Sequence, residues 1–111
     1  MVKAGSKPDA AKILSIVPSG KEFLFCSAEG VCSKTLANSL GDFADKLDGI
    51  DEVFILFHYP RGDFQAWIRD VLGDNELADR MCFIKPGLSG EKLRQELKQI
   101  IELRLFELKS Q

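Results

Sequence analysis

The sequence lacks the features that would place it in a membrane or export it. No apolar run approaches the roughly 20 residues that a membrane-spanning helix needs, and residues 1–11 are polar, without the apolar core of a secretory signal. We therefore expect a cytoplasmic protein with no membrane partner. The chain of 111 residues is long enough for one domain, and we expect a single globular domain over 8–111. Because residues 1–7 form a polar, uncapped terminus, we expect them to be a disordered tail.

Cysteine and histidine are also scarce. The three cysteines, Cys26, Cys32 and Cys82, are an odd number, and His58 is the one histidine. The odd number favours reduced thiols over a disulfide framework. The four residues could form a Cys₃His zinc site, but Cys-x₅-Cys is not the usual spacing and no second pair follows. No metal and no cofactor is expected, and nothing in the sequence places His58 beside Cys26 or Cys32 as a base for a nucleophilic thiol.

No strong excess of charge points to nucleic acid. The net charge is −2, yet residues 1–39 carry five lysines against three acids, whereas residues 40–89 carry ten acids against five bases. The basic set in the first segment consists of Lys3, Lys7, Lys12, Lys21 and Lys34. A nucleic-acid partner for that set stays open, while the acidic segment favours a basic or neutral partner, or none.

Hydrophobic periodicity and turn residues predict the elements. The first half contains a helix from Pro8 to Val17, a strand at Glu22–Cys26, a polar connection at Gly30–Asn38, a helix from a Ser39 cap to Gly49, and a buried strand at Val53–Phe57. The second half contains a turn at Pro60–Gly62, a helix with Asp63 as its N-cap that ends at Gly73, a helix capped by Asp74, and a long helix from a Ser89 cap to about Lys109.

These elements predict an α+β fold in a compact single domain. Two or three strands would pack with four or five helices, and the strand near Phe23 would adjoin the strand near Val53, in either direction. The long C-terminal helix carries Leu103, Leu105 and Phe106 outside its main apolar stripe. A helix that is apolar around much of its circumference needs cover on several sides, either within the domain or from a second copy or another protein.

The segment Phe57–Ala78, which reads FHYPRGDFQAWIRDVLGDNELA, is the most distinctive part of the chain. It resembles the core of a small, functionally uncharacterised domain family found mainly in archaea, with the pattern FHxxRGDFxxWIRDVLGDxxLA. The match extends over roughly residues 20–108 and includes the Ser39 helix. The resemblance implies an intracellular α+β domain and no known activity, and the cysteines do not belong to the family pattern.

Four residues of this segment form the candidate binding surface: His58, Tyr59, Arg61 and Arg69. His58 follows the predicted buried strand at a helix start, a common place for functional groups, but it can equally bond Asp63, Asp70 or a turn carbonyl. The two arginines could bind an anion, but pairing with Asp63, Asp70 or Asp74 is favoured. The Arg-Gly-Asp tripeptide is interpreted as a turn and a helix cap rather than an adhesion motif.

Three function classes remain. The first is a non-catalytic protein-interaction or assembly module, which would use an unknown protein partner or self-association through the C-terminal helix. The second is a nucleic-acid-associated accessory protein of an archaeal information-processing complex. The third is an enzyme that uses His58 and Arg61. No pair of titratable groups is visibly placed to divide acid and base roles, so the first class is favoured and no catalytic residue is assigned.

Overall fold

The computed structural model describes residues 9–111; Pro8 and the tail predicted at 1–7 lie outside the described residues. In chain order the described elements are α1 (Ala10–Leu14), β1 (Phe23–Ala28), β2 (Val31–Ala37), α2 (Leu40–Gly49), α3 (Glu52–Arg61), α4 (Asp63–Trp67), a π-helical turn (Ile68–Leu72), α5 (Asn75–Met81) and α6 (Gly90–Lys109). The predicted α+β class and the long C-terminal helix are confirmed. Within residues 9–111 there are six α-helices and two strands.

The sheet is an antiparallel hairpin of β1 and β2, so the polar connection predicted at Gly30–Asn38 is wrong. Gly30 makes the tight turn at a φ of 72°, a value that favours glycine. The sequence of β2 looked like a loop because only Ala37 of this strand is buried. Its remaining side chains are exposed or half-buried, and they show no apolar alternation that would identify a strand.

The predicted strand at Val53–Phe57 is a helix, which also removes the predicted pairing with the strand near Phe23. Asp51 caps α3 by accepting a hydrogen bond from the Val53 amide at 3.0 Å. Ile55 and His58 are the buried residues of α3 and lie three apart, as neighbours on one helical face do. The run predicts a strand because Val53, Phe54, Leu56 and Phe57 are apolar as well as the buried Ile55, which hides the helical period.

The core is an aromatic cluster between the inner face of the hairpin, α2 and α4. Phe25 stacks on Phe43 with ring centroids 5.7 Å apart, and Phe43 meets Phe64 edge-on at 5.2 Å. Trp67 is buried beside them and donates its indole N–H to the Lys21 carbonyl at 2.8 Å. Phe64 and Trp67 therefore belong to the core.

Most of the predicted helix ends are confirmed. The hydroxyls of Ser39 and Ser89 cap α2 and α6, and the Asp74 carboxylate caps α5. Gly73 takes the left-handed conformation with a φ of 81°. Gly49 does not, because it is the last residue of α2 and the chain leaves the helix in an extended conformation at Ile50.

The long helix α6 is held against α5 by a buried ion pair. Arg104 donates two hydrogen bonds of 2.9 Å to the carboxylate of Asp74, whose residue is only 1% exposed. Glu107 accepts from Arg104 and, through both oxygens, from Arg80. Within residues 9–111 no helix is both long and apolar enough to span a bilayer.

Candidate functional site

Three residues of the predicted binding surface, His58, Tyr59 and Arg61, lie at the end of α3, beside the corner between α3 and α4. The corner forms at Gly62, which has a φ of 77° and donates its amide to the carbonyls of His58 and Tyr59 at the end of α3. Pro60 lies inside α3. The turn predicted at Pro60–Gly62 is therefore wrong at Pro60 and confirmed at Gly62. A proline this close to the helix end removes one hydrogen bond without a further turn to disrupt.

His58 lies inside this corner and both of its ring nitrogens are engaged. Its Nδ1 lies 2.8 Å from a carboxylate oxygen of Asp63, and its Nε2 accepts the backbone N–H of Cys26 at 2.7 Å. Because Nε2 is an acceptor, the proton of the neutral ring sits on Nδ1 and is donated to Asp63. The ring is 5% exposed and meets Phe23 edge-on at 4.8 Å. His58 therefore clamps strand β1 to the α3–α4 corner.

Asp63 does not cap α4, contrary to the prediction. Gly62 is the N-cap and contributes no side-chain bond, while the Asp63 carboxylate accepts hydrogen bonds from His58 and Arg61. Burial raises the pKa of Asp63, and the hydrogen bonds from His58 and Arg61 outweigh it, so the pKa lies below its ordinary value. The carboxylate is thus held in its charged form at neutral pH.

Arg61 extends this cluster to the surface. Its Nε donates to Asp63 at 2.9 Å, one terminal nitrogen donates to Glu29 at 2.9 Å, and its guanidinium carbon lies 4.7 Å from the centre of the Phe57 ring. The hydrogen bonds to Asp63 and Glu29 raise the pKa of Arg61 further. The expected pairing of Arg61 with Asp63 is confirmed, and this pairing already uses the guanidinium that an anionic ligand would need.

Tyr59 and Arg69 lie apart from the His58 cluster. The Tyr59 hydroxyl donates to the Met81 carbonyl at 2.7 Å, and burial together with nearby Cys82 raises the pKa of this hydroxyl. Arg69 lies in the π-helical turn and approaches Asp79 at 3.8 Å, rather than the predicted Asp63, Asp70 or Asp74. The four predicted residues therefore belong to three separate contacts and do not form one site.

A small apolar groove adjoins Tyr59. Its volume is about 280 Å³. The residues that line it are Leu56, Tyr59, Pro60, Lys85, Pro86, Gly87, Leu88 and Leu93. It lies between α3, the loop before α6 and the first turns of α6. Lys85 is the one charged residue in this lining, so the groove is mostly apolar.

The cysteines depart most from the sequence prediction. Cys26 and Cys32 form a disulfide across the hairpin, which corrects the prediction of reduced thiols at these positions. Cys82 is free and exposed. The antiparallel hairpin, which the sequence did not reveal, is what makes Cys26 and Cys32 direct neighbours.

The structure also places His58 beside Cys26, which the sequence gave no reason to expect. The contact is made to the backbone amide of Cys26 and arises because α3 lies along the free edge of β1. A signal was present in the sequence, since a buried lone histidine needs a partner for each nitrogen. No spacing rule, however, could identify an amide that is 32 residues away.

Two further groups considered from the sequence are the potential metal ligands and the basic set. In the described part of the chain no group of three or more His, Cys, Asp or Glu residues could hold a metal ion. Of the predicted basic set, Lys3 and Lys7 lie outside the described residues. Lys12 donates to the Leu72 carbonyl at 3.3 Å at the end of the π-helical turn.

The comparison with protein-family models gives a match over the second part of the chain. Residues 59–111 match the model of a family described as "Family of unknown function (DUF5752)". The matched part includes Tyr59, Arg61 and Arg69 and the whole of α4, α5 and α6. No curated protein and no solved structure gives a significant match.

Proposed function

We propose that this protein is a non-catalytic assembly module that associates through the outward face of α6. One observation carries the proposal: Leu103 is 56% exposed and Phe106 is 69% exposed. The buried residues of α6 in this region are Ile101, Arg104 and Leu108. These two large apolar side chains are three residues apart on the face away from the core. Covering them with a partner removes apolar surface from water and is therefore favourable.

A second exposed aromatic residue follows α5, the helix that is joined to the end of α6. Phe83, at the end of α5, is 87% exposed. Its neighbourhood is joined to the end of α6, because Arg80 of α5 binds Glu107, the residue after Phe106. Leu105 is half-buried against the core instead, so Leu103 and Phe106 are the residues with which to test association.

The proposal is tested by the oligomeric state of the purified full chain. We expect a dimer or higher assembly in sedimentation equilibrium, and we expect Leu103→Glu and Phe106→Glu each to shift it towards monomer. Ile16→Glu is the matched control, because Ile16 is equally exposed but lies outside α6. A wild-type chain that is monomeric at high concentration, or an assembly that both α6 variants leave intact, would contradict self-association.

An interaction with a different protein is the remaining form of this proposal. A pull-down from native extract, with and without nuclease, separates a protein partner from a nucleic-acid partner. Capture that is lost in Leu103→Glu but kept in Ile16→Glu would assign it to α6. We also propose that the matched family is the mainly archaeal one that the Phe57–Ala78 pattern resembles, because most of that pattern lies within the matched residues.

A further inference from the structure

The disulfide of the hairpin lies where a partner can reach it. Cys26 and Cys32 are directly opposite in the register of β1 and β2. Cys32 is exposed and Cys26 is half-buried. An incoming thiolate therefore meets the Cys32 sulfur first, and the Cys26 sulfur is the leaving group on the protected side.

The fold depends little on this bridge. It links residues only six positions apart, and a disulfide restricts the unfolded chain less when the loop that it closes is short. The hairpin is also closed by other means, since Phe23 pairs with Ala37 and the inner face of β1 packs in the aromatic core. The hairpin can therefore persist when the bridge opens.

Exposed apolar side chains lie next to the bridge in the strand register. Leu24 and Leu36 face each other across the hairpin as the neighbouring register pair, and both are exposed. A register irregularity separates this pair from Cys26 and Cys32. Leu24 nevertheless lies two residues before Cys26, on the same face of β1, and brings apolar surface to the solvent side of the bridge. On the other side, His58 Nε2 holds the Cys26 amide, and this contact keeps Cys26 in place while the bridge opens.

We propose that Cys26–Cys32 is a thiol–disulfide exchange site for a dithiol carried on an apolar polypeptide segment. A thiolate of the partner attacks the Cys32 sulfur, a new S–S bond forms, and the old bond breaks with its electron pair on Cys26, which takes a proton from water. The second thiol of the partner then attacks the mixed disulfide and releases Cys32. The partner is oxidised to a disulfide by two electrons, and this chain is reduced to a dithiol.

The first test identifies the sulfur that is attacked. Oxidised Cys82→Ser protein, which has no third thiol, is mixed with a single-cysteine peptide rich in leucine and analysed by mass spectrometry after acid quench. We expect the mixed disulfide on Cys32, with a free thiol on Cys26. An adduct that forms mainly on Cys26, or no adduct at all, would overturn the proposal.

The second test measures selectivity. Two-cysteine peptides that differ only in leucine or glutamine next to the thiols have the same charge, so their thiolate fractions stay comparable. We expect the leucine peptide to reduce the bridge several-fold faster, and we expect Leu24→Ser with Leu36→Ser to remove the difference. Equal rates for both peptides on the unaltered hairpin would exclude selection by the leucine pair.

The third test asks whether the bridge is structural instead. The Cys26→Ser, Cys32→Ser, Cys82→Ser chain should keep the near-ultraviolet circular dichroism of the oxidised protein and a cooperative unfolding transition. Loss of the folded state in this variant would show that the bridge serves the fold and would overturn the exchange proposal. The α6 surface is distant in sequence from the hairpin and is tested separately through Leu103 and Phe106.

Discussion

At the scale of single residues, His58 differs from Tyr59 and Arg69 in the number of hydrogen bonds that its side chain makes. It is buried, and it bonds a backbone amide of β1 and a carboxylate of α4 at the same time. Tyr59 contributes one hydrogen bond, and Arg69 a long ion pair at the surface. A buried residue with hydrogen-bond partners on two other elements should cost more to replace than a residue with one partner.

We predict that His58→Phe lowers the free energy of unfolding by about 1–3 kcal/mol, because the ring packing is kept while the Cys26 amide loses its acceptor. Tyr59→Phe should cost roughly 0.5–1.5 kcal/mol for one hydrogen bond, and Arg69→Ala should stay within about 0.5 kcal/mol as an exposed pair. Urea titrations of the three variants measure this order. Equal losses at His58 and Arg69 would contradict the clamp.

At the scale of elements, the two glycines near helix starts behave differently. Gly90 is the first residue of α6, and a Cβ built on it would lie 2.7 Å from the Cβ of Glu52, which begins α3. Gly41 is the second residue of α2, and a Cβ there would meet nothing within 4 Å. The close approach of α3 to α6 therefore requires glycine at position 90 and not at position 41.

We predict that Gly90→Ala destabilises the fold by about 1–3 kcal/mol through this overpacking. Gly41→Ala is the matched control and should stabilise it by about 0.4–1 kcal/mol, because alanine restricts the unfolded chain and suits a helix. Thermal unfolding of both variants gives the comparison. If both substitutions raise the melting temperature, Glu52 moves aside at little cost and the packing argument fails.

The junction of α5 and α6 offers a sharper test, because Asp74 is only 1% exposed and solvent cannot take the place of its partner Arg104. We predict that Arg104→Met costs about 3–5 kcal/mol, since it leaves the Asp74 carboxylate buried and unpaired. Adding Asp74→Asn removes that charge and keeps a capping side chain on α5, so the double variant should recover most of the loss. Denaturant midpoints that place the double variant below Arg104→Met would show that the ion pair is not what limits stability here.

Some helix starts that carry an N-cap residue could be predicted from the sequence. The helix over Val53–Phe57 and the strand β2 could not. Ser39, Asp74 and Ser89 identify helix starts because their side chains accept from an amide three residues ahead, which is local chemistry. Val53–Phe57 failed because an all-apolar run has no visible period. Strand β2 failed for the opposite reason, since a half-exposed hairpin strand carries few apolar residues.

At the scale of the whole molecule, the candidate site could be predicted only in part. The pairing of His58 and Arg61 with Asp63 follows from their closeness in sequence. The bond from His58 to Cys26 and the salt bridge from Arg61 to Glu29 each join residues 32 apart. These contacts depend on the packing of α3 along the hairpin, and the hairpin itself was missed, so the cluster around the disulfide could not be predicted from the sequence.

Acid should weaken the whole fold through carboxylates that are shared between elements. Hydrogen bonds from Arg80 and Arg104 lower the pKa of Glu107. In Asp63 and in Asp42 burial raises the pKa, but hydrogen bonds from His58 and Arg61, or from Lys46 and the Asn38 amide, outweigh it, so each pKa lies below its ordinary value. A carboxyl whose folded pKa is depressed stabilises the fold above its unfolded pKa and loses that contribution as the pH falls through the folded value.

We therefore predict a free energy of unfolding that is nearly constant from neutral pH to about pH 5 and falls below the ordinary pKa values of 4.5 for Glu107 and 3.8 for Asp63. Urea titrations between pH 7 and pH 3 measure it. In Asp63→Asn the stability should be lower at pH 7, and the difference from wild type should shrink as the pH falls below 3.8, because protonation progressively removes the contribution of the Asp63 carboxylate. A difference that persists unchanged at pH 3 would mean that Asp63 acts through its shape and not through its charge.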